Sequence, residues 1–211
     1  MSKRWIVLFM SLFFMSANAQ YAGYKPAGDA SGFKSAFAEA SQKINSIKSH
    51  FVQEKSLSLL EEKLISTGHF MFKKENRVRM EYEHPFSYLM IINNSQVFIR
   101  DGEKENKLSA KSNKTFGQIN RIIIDCVQGT MLSNPDFSAR AFENNEHWLA
   151  ELTPLTKSMK DMFLSILVTI DKRDLSASRI EMKEVNGDNT VIRLTNKSLN
   201  VEIPDSLFSI H

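Results

Sequence analysis

Few residues in this chain could do covalent or metal chemistry. The five histidines, His50, His69, His84, His147 and His211, show no metal-ligand spacing. His50, His69 and His84 could converge on one sheet, but solvated histidines are by far the better account. The single thiol, Cys126, falls on an apolar helix stripe, the usual setting of a buried and inert cysteine. Ser31-Gly32-Phe33-Lys34 matches the S-x-x-K pattern of an activated serine. It stands at the start of an amphipathic helix, where Ser31 reads as a cap. The chain carries no H-E-x-x-H, G-x-S-x-G, phosphate loop or dinucleotide fingerprint. No nucleophile with its base can be assembled, so the reading is a non-enzyme with no catalytic residue, metal or cofactor.

The chain is instead rich in residues that bind by shape. Phe51, Phe70, Met71, Phe72, Met80, Tyr82, Met90, Phe98, Phe116, Met131, Met159, Met162 and Phe163 are spread over several strands and one helix. On a sheet face such residues fill a plain core, or they line a cavity that accepts variable apolar chains. Methionine suits the second use because its unbranched thioether changes shape at little cost.

The elements that would position them follow from periodicity. Residues 1–19 have the build of a cleaved secretory signal. Lys3 and Arg4 come first, then an apolar stretch over 5–15, then Ala17-Asn18-Ala19 before Gln20. Residues 20–30, rich in Gly, Ala and Pro, read as a flexible lead-in. Phe33, Phe37, Ala40, Ile44, Ile47 and Phe51 recur at gaps of three and four, which predicts a helix over 32–48. The period then becomes two: Val78, Met80 and Tyr82 face away from Arg77, Arg79 and Glu81, as in a sheet with one dry face. Asn93-Asn94-Ser95 and Asn186-Gly187-Asp188 read as hairpin turns. A second helix over 116–128 has Phe116, Ile119, Ile122, Ile123 and Cys126 along one side, Thr115 as cap and Gly129 as stop. Residues 137–143, 147–153, 162–170, 178–185, 189–196 and 201–210 read as strands. The chain of 211 residues, 42% apolar and 24% charged with a formal charge of +3, has the composition of a folded protein. Lys3 and Arg4 lie in the leader, so the remainder is nearly neutral and no nucleic-acid partner is indicated.

The order of these pieces is specific. A helix runs into Ser49-His50-Phe51-Val52-Gln53-Glu54-Lys55. Then come Gly68-x-Phe70-x-Phe72-Lys73-Lys74, Asn76-x-Val78-x-Met80-x-Tyr82 and His84-Pro85, and the chain ends on Ile203-Pro204-Asp205-Ser206-Leu207-Phe208. The sequence over 31–211 resembles the LolA family of periplasmic carriers that move lipoproteins to the outer membrane. The resemblance implies a mainly β (α+β) domain, a curved incomplete antiparallel barrel of about eleven strands with a helical lid. It implies an acyl-chain cavity lined by Phe51, Phe70, Phe72, Val78, Met80, Tyr82, Phe98 and Phe163. The lid would carry Phe116, Ile119, Ile122, Ile123 and Met131. Lys74 stands where the family has an arginine that holds lid-segment carbonyls and keeps the lid closed. Glu75 stands where proline often follows, and Val78 and Met80 replace a common aromatic pair. The implied partners are acylated lipoproteins, an inner-membrane donor complex and an outer-membrane acceptor, met by a periplasmic monomer. The altered latch and lining leave open a carrier of another lipid or lipidated metabolite, or a lipid-sensing interaction module on the same fold.

Overall fold

Alternation of apolar and polar residues from Ser46 onward gives one antiparallel sheet that closes on neither edge. The structure is a computed structural model and describes residues 21–60, 62–94, 96–109 and 114–210. In chain order the elements are β1 (Lys25–Pro26), α1 (Ala30–Lys43), β2 (Ser46–Ser56), β3 (Lys63–Lys73), β4 (Arg77–His84), β5 (Tyr88–Asn93), β6 (Gln96–Asp101) and β7 (Lys104–Ser109). There follow α2 (Lys114–Gln128), a 3-10 turn (Met131–Ser133), β8 (Phe137–Glu143), β9 (His147–Pro154), a one-turn α3 (Lys157–Lys160), β10 (Phe163–Asp171), β11 (Ala177–Glu184) and β12 (Asn189–Leu199), with a second 3-10 turn at Asp205–Phe208. The strands lie in the order β1-β8-β9-β10-β11-β12-β2-β3-β4-β5-β6-β7. The expected half-barrel with helices on one side is what forms. Residues 1–19 lie outside the described part, as does the end of the 20–30 lead-in at Gln20.

The inner face carries the main core. Phe51, Phe70, Phe72, Val78 and Met80 from β2 to β4 join Ile166, Val168, Ile180, Met182, Ile192 and Leu194 from β10 to β12 in one buried cluster. Phe33 and Phe37 of α1 enter the same cluster, and Phe33 stacks on Trp148 with ring centroids 4.6 Å apart. Gly68 stands at a bulge where β3 and β4 shift register, and a Cβ there would come within 1.9 Å of the Glu81 carbonyl. Only glycine permits that approach.

The first helix is shorter than its apolar spacing predicts. It ends at Lys43, and Ile44 and Ile47 reach the core from the linker and from β2. A gap of three or four residues and a strand entering the same core place apolar side chains at the same positions, so the pattern does not mark the boundary. Asp29, not Ser31, caps α1 by accepting from the Gly32 amide at 2.7 Å. The second helix begins at Lys114, so Thr115 lies inside it and is not its cap. Gly129 does stop it. Its φ is +72°, and the Thr130 amide returns to the Asp125 carbonyl at 3.0 Å, closing the end as a Schellman turn. A Cβ at Gly129 would also sit 2.0 Å from Ser41 Oγ of α1.

The sheet is dry on more than one face. Leu89, Ile91 and Phe98 point outward, yet they are buried with Ile203 and Phe208 of the C-terminal segment. Residues 201–210 are not the strand that their alternation suggests. They run across the outer face and bond to side chains instead of to a neighbouring backbone. The Val201 carbonyl accepts from Ser46 Oγ, Ile203 from Lys73 Nζ at 2.8 Å, Leu207 from Arg79 at 3.2 Å and Phe208 from Asn93 at 3.2 Å. Lys73 and Arg77 both pair with Asp205. The supposed lead-in is likewise docked: Tyr21 and Tyr24 cover Phe142, Leu149 and Leu167, while β1 pairs with β8.

Two outcomes follow. Gly129→Ala forces a positive φ on a side chain and drives it into Ser41, so urea unfolding should show a loss of about 2–4 kcal/mol. Lys73 first, with Arg77, holds the Asp205 carboxyl below its usual range. Its contribution is therefore full above about pH 4 and is lost as pH falls through the lowered folded value. Asp205→Asn should lower the melting temperature at neutral pH, and the gap from wild type should close in acid.

Candidate functional site

The inner face and α2 form the site. Along α2 the period of 3.6 turns Ile122, Ile123, Cys126 and Val127 toward the sheet, and all four are buried in the main cluster. Met131 follows in the 3-10 turn and is buried there too. Arg121 and Asp125 lie on the side away from the sheet cluster, 3.9 Å apart. The side chains of Phe116 and Ile119, expected on the same stripe, lie outside the described residues.

Seven of the eight expected lining residues meet on the inner face. Phe51, Phe70, Phe72, Val78, Met80 and Phe163 are each at most 3% exposed. Tyr82 packs against them, edge-on to Phe51 at 4.8 Å and to Tyr88 at 5.4 Å. Its hydroxyl donates to Gln53 Oε1 at 3.0 Å, and burial pushes the phenol well above its usual range. Phe98 is the exception. It stands on the outer face beneath the C-terminal segment, because β6 alternates so that Val97, its apolar neighbour, takes the inner position. A run of three apolar residues, Val97-Phe98-Ile99, hides which face is which.

In this structure the described side chains of the site are withdrawn from water. Ile123 is only 6% exposed, and the strand residues of the same cluster less so. Burial raises the Cys126 thiol far above its ordinary value, which keeps it protonated and unreactive. Ser49 is a buried polar residue of the inner face. It is 1% exposed, and among the described residues its hydroxyl has no partner.

The turn between β3 and β4 grips both helices. Lys74 Nζ donates to the Gln42 carbonyl in the last turn of α1, and the Lys74 amide donates to Asn45 O at 2.9 Å. The described bonds that Lys74 donates thus go to α1 and its linker, not to α2 as a latch on the second helix would require. A cation suits that position because the helix C-terminus presents unpaired carbonyls. Two residues on, Asn76 Oδ1 accepts from Gln128 Nε2 at the end of α2, at 2.9 Å. Glu75 and Asn76 reach these positions with φ of +69° and +57°. Reading the sequence missed the Asn76–Gln128 bond, which joins residues 52 apart. The only local signal was an asparagine in a turn, a residue that tolerates the left-handed conformation.

The residues singled out for chemistry do not form a catalytic group. Ser31 and Lys34 are exposed on α1. His50 and His69 face each other on the outer side with ring centroids 4.4 Å apart, and His69 Nε2 lies 3.1 Å from Glu83 Oε1. Among the described residues no three His, Cys, Asp or Glu side chains gather as a metal site.

Comparison with solved structures finds the same fold. MucB, also known in complex with MucA from Pseudomonas aeruginosa, is 13% identical with a TM-score of 0.51, the match covering 88% of this chain and 64% of that one. An uncharacterized conserved protein from Thermus thermophilus is 9% identical with a TM-score of 0.50, covering 84% and 93%. A LolA superfamily protein from Nitrosomonas europaea is 12% identical with a TM-score of 0.46, covering 84% and 97%. Comparison with curated proteins gives no match. The family model described as outer membrane lipoprotein carrier protein LolA matches residues 42–211, a span that begins at the end of α1 and takes in every strand from β2 onward as well as α2. The chain belongs to the LolA family.

Proposed function

We propose that the chain is a periplasmic carrier that takes up the acyl chains of lipoproteins between the sheet and α2 and moves them toward the outer membrane. The observation that carries this reading is the nature of the closure. An apolar floor built from many strands is covered by α2 beside α1, and Gln128–Asn76 is the described polar link from α2 to the sheet. Family membership supports the same class of cargo.

The energetics fit such a use. Each methylene left in water costs about 0.8 kcal/mol, so three chains of about sixteen carbons amount to tens of kcal/mol. A carrier must hide that surface and still give it up. Ile122, Ile123 and Met131 fill the space when no cargo is present, and acyl chains replace them against Phe51, Phe70, Phe72, Val78, Met80, Tyr82 and Phe163. One apolar contact is exchanged for another, so the net cost of opening stays small. Ser49 offers a hydroxyl that an ester carbonyl of the cargo can accept from. In this reading residues 31–211 act as one binding domain after removal of 1–19, with no catalytic step. A donor at the inner membrane and an acceptor at the outer membrane complete the route for a monomeric carrier.

Uptake of a fluorescent triacylated lipopeptide tests the reading. Ile123→Asp should abolish uptake while leaving the far-ultraviolet dichroism of the sheet unchanged. Gln128→Ala should free the end of α2 and speed uptake by about threefold to tenfold, the worth of one hydrogen bond. Uptake that survives Ile123→Asp in a folded protein would remove α2 from the role of lid.

A further inference from the structure

The exposed apolar residues are all at one end of the sheet. Among the described residues the large apolar side chains left in water include Leu59, 95% exposed, Leu60, Leu64 and Ile65, all on the β2–β3 hairpin. Phe86 belongs to the β4–β5 connection, Leu155 to the β9–β10 connection, Leu164 to the start of β10 and Val185 to the connection after β11. Hairpin geometry puts these connections at the same end. Ser56 pairs with Lys63, Phe163 with Glu184, and Ser58 bonds across to Asn186 and Asp188. The turns at the opposite end, among them 74–76, 144–146 and 172–176, are mostly polar, with Leu175 the apolar residue of these three.

The hairpin also projects. The last pairing of β3 with β4 is Thr67 with His84, so residues 63–66 extend past β4 by roughly 13 Å. The apolar residues sit on separate connections and strand ends, as isolated tips. The charges at this end are of both signs. Lys55 pairs with Glu184 and Asp188, Lys157 with Asp161 and Arg193 with Glu54. Isolated apolar tips among charges of both signs suit a surface that is soft, apolar just below its boundary and indifferent to shape.

We propose that this end, led by Leu59 and Leu60, inserts into the acyl–headgroup boundary of a lipid bilayer. The attachment goes beyond the carrier reading and is tested without cargo. The purified chain is mixed with phosphatidylcholine vesicles, and the floating fraction is measured. The chain should float, and raising salt should change the bound fraction by less than about twofold, because no net charge drives binding. Leu59→Ser with Leu60→Ser should lower partition by about tenfold, and Phe86→Ser should lower it further. All three side chains are exposed, so the variants should keep the wild-type melting temperature and lipopeptide uptake. Failure of the wild type to float, or flotation unchanged in the variants, overturns the proposal. So does sedimentation showing a dimer that the leucine substitutions dissociate, which would assign the tips to a second copy of the chain. Loss of lipopeptide uptake with flotation intact would count against the carrier reading alone.

Discussion

The sheet presents apolar side chains on both faces, and each face needs a cover that the strands cannot supply. The two covers are built differently. Over β3 to β6 the outer cover is the C-terminal segment, fixed by donors from four strands and by the Asp205 ion pairs. The inner cover is α2, fixed chiefly by its own apolar face. Directional polar bonds hold one geometry and resist exchange. Apolar contact has no preferred direction and can be traded for an equivalent surface at little net cost. One requirement, the removal of greasy surface from water, is thus met by directional bonds on one side and by apolar contact on the other.

The β3–β4 turn links these parts. Lys74 secures the end of α1, Asn76 the end of α2, and Lys73 and Arg77 on either side of the turn reach the tail on the outer face. Left-handed backbone at Glu75 and Asn76 lets consecutive residues point in such different directions. Lys74 meets the Gln42 carbonyl as a point charge at the end of α1, without the planar fork an arginine would bring.

Much of this could be read from the sequence. The stripe on α2, its stop at Gly129 and the hairpin at Gly187 were legible because each depends on residues within a turn or two of one another. The misreadings share a cause. Ile44 and Ile47 satisfy a helical and a strand pattern together, so the start of β2 was hidden. Residues 201–210 alternate as a strand does, but they alternate because one side rests on Leu89, Ile91 and Phe98. Phe98 itself was assigned to the wrong face for want of a polar neighbour to set the parity. The bonds Lys74–Gln42 and Asn76–Gln128 join distant parts of the chain, and no local pattern announces them.

Gly129 has a geometric consequence. Its contact with Ser41 leaves no room for the two helices to slide past each other at that point. Any displacement of α2 that respects this contact is a rotation about its C-terminal end, like a door on a single pivot. With about 22 Å of helix beyond the pivot, a turn of about 20° carries the far end some 7–8 Å, roughly the thickness of two acyl chains. The gap so formed is wedge-shaped and widest at the Lys114 end.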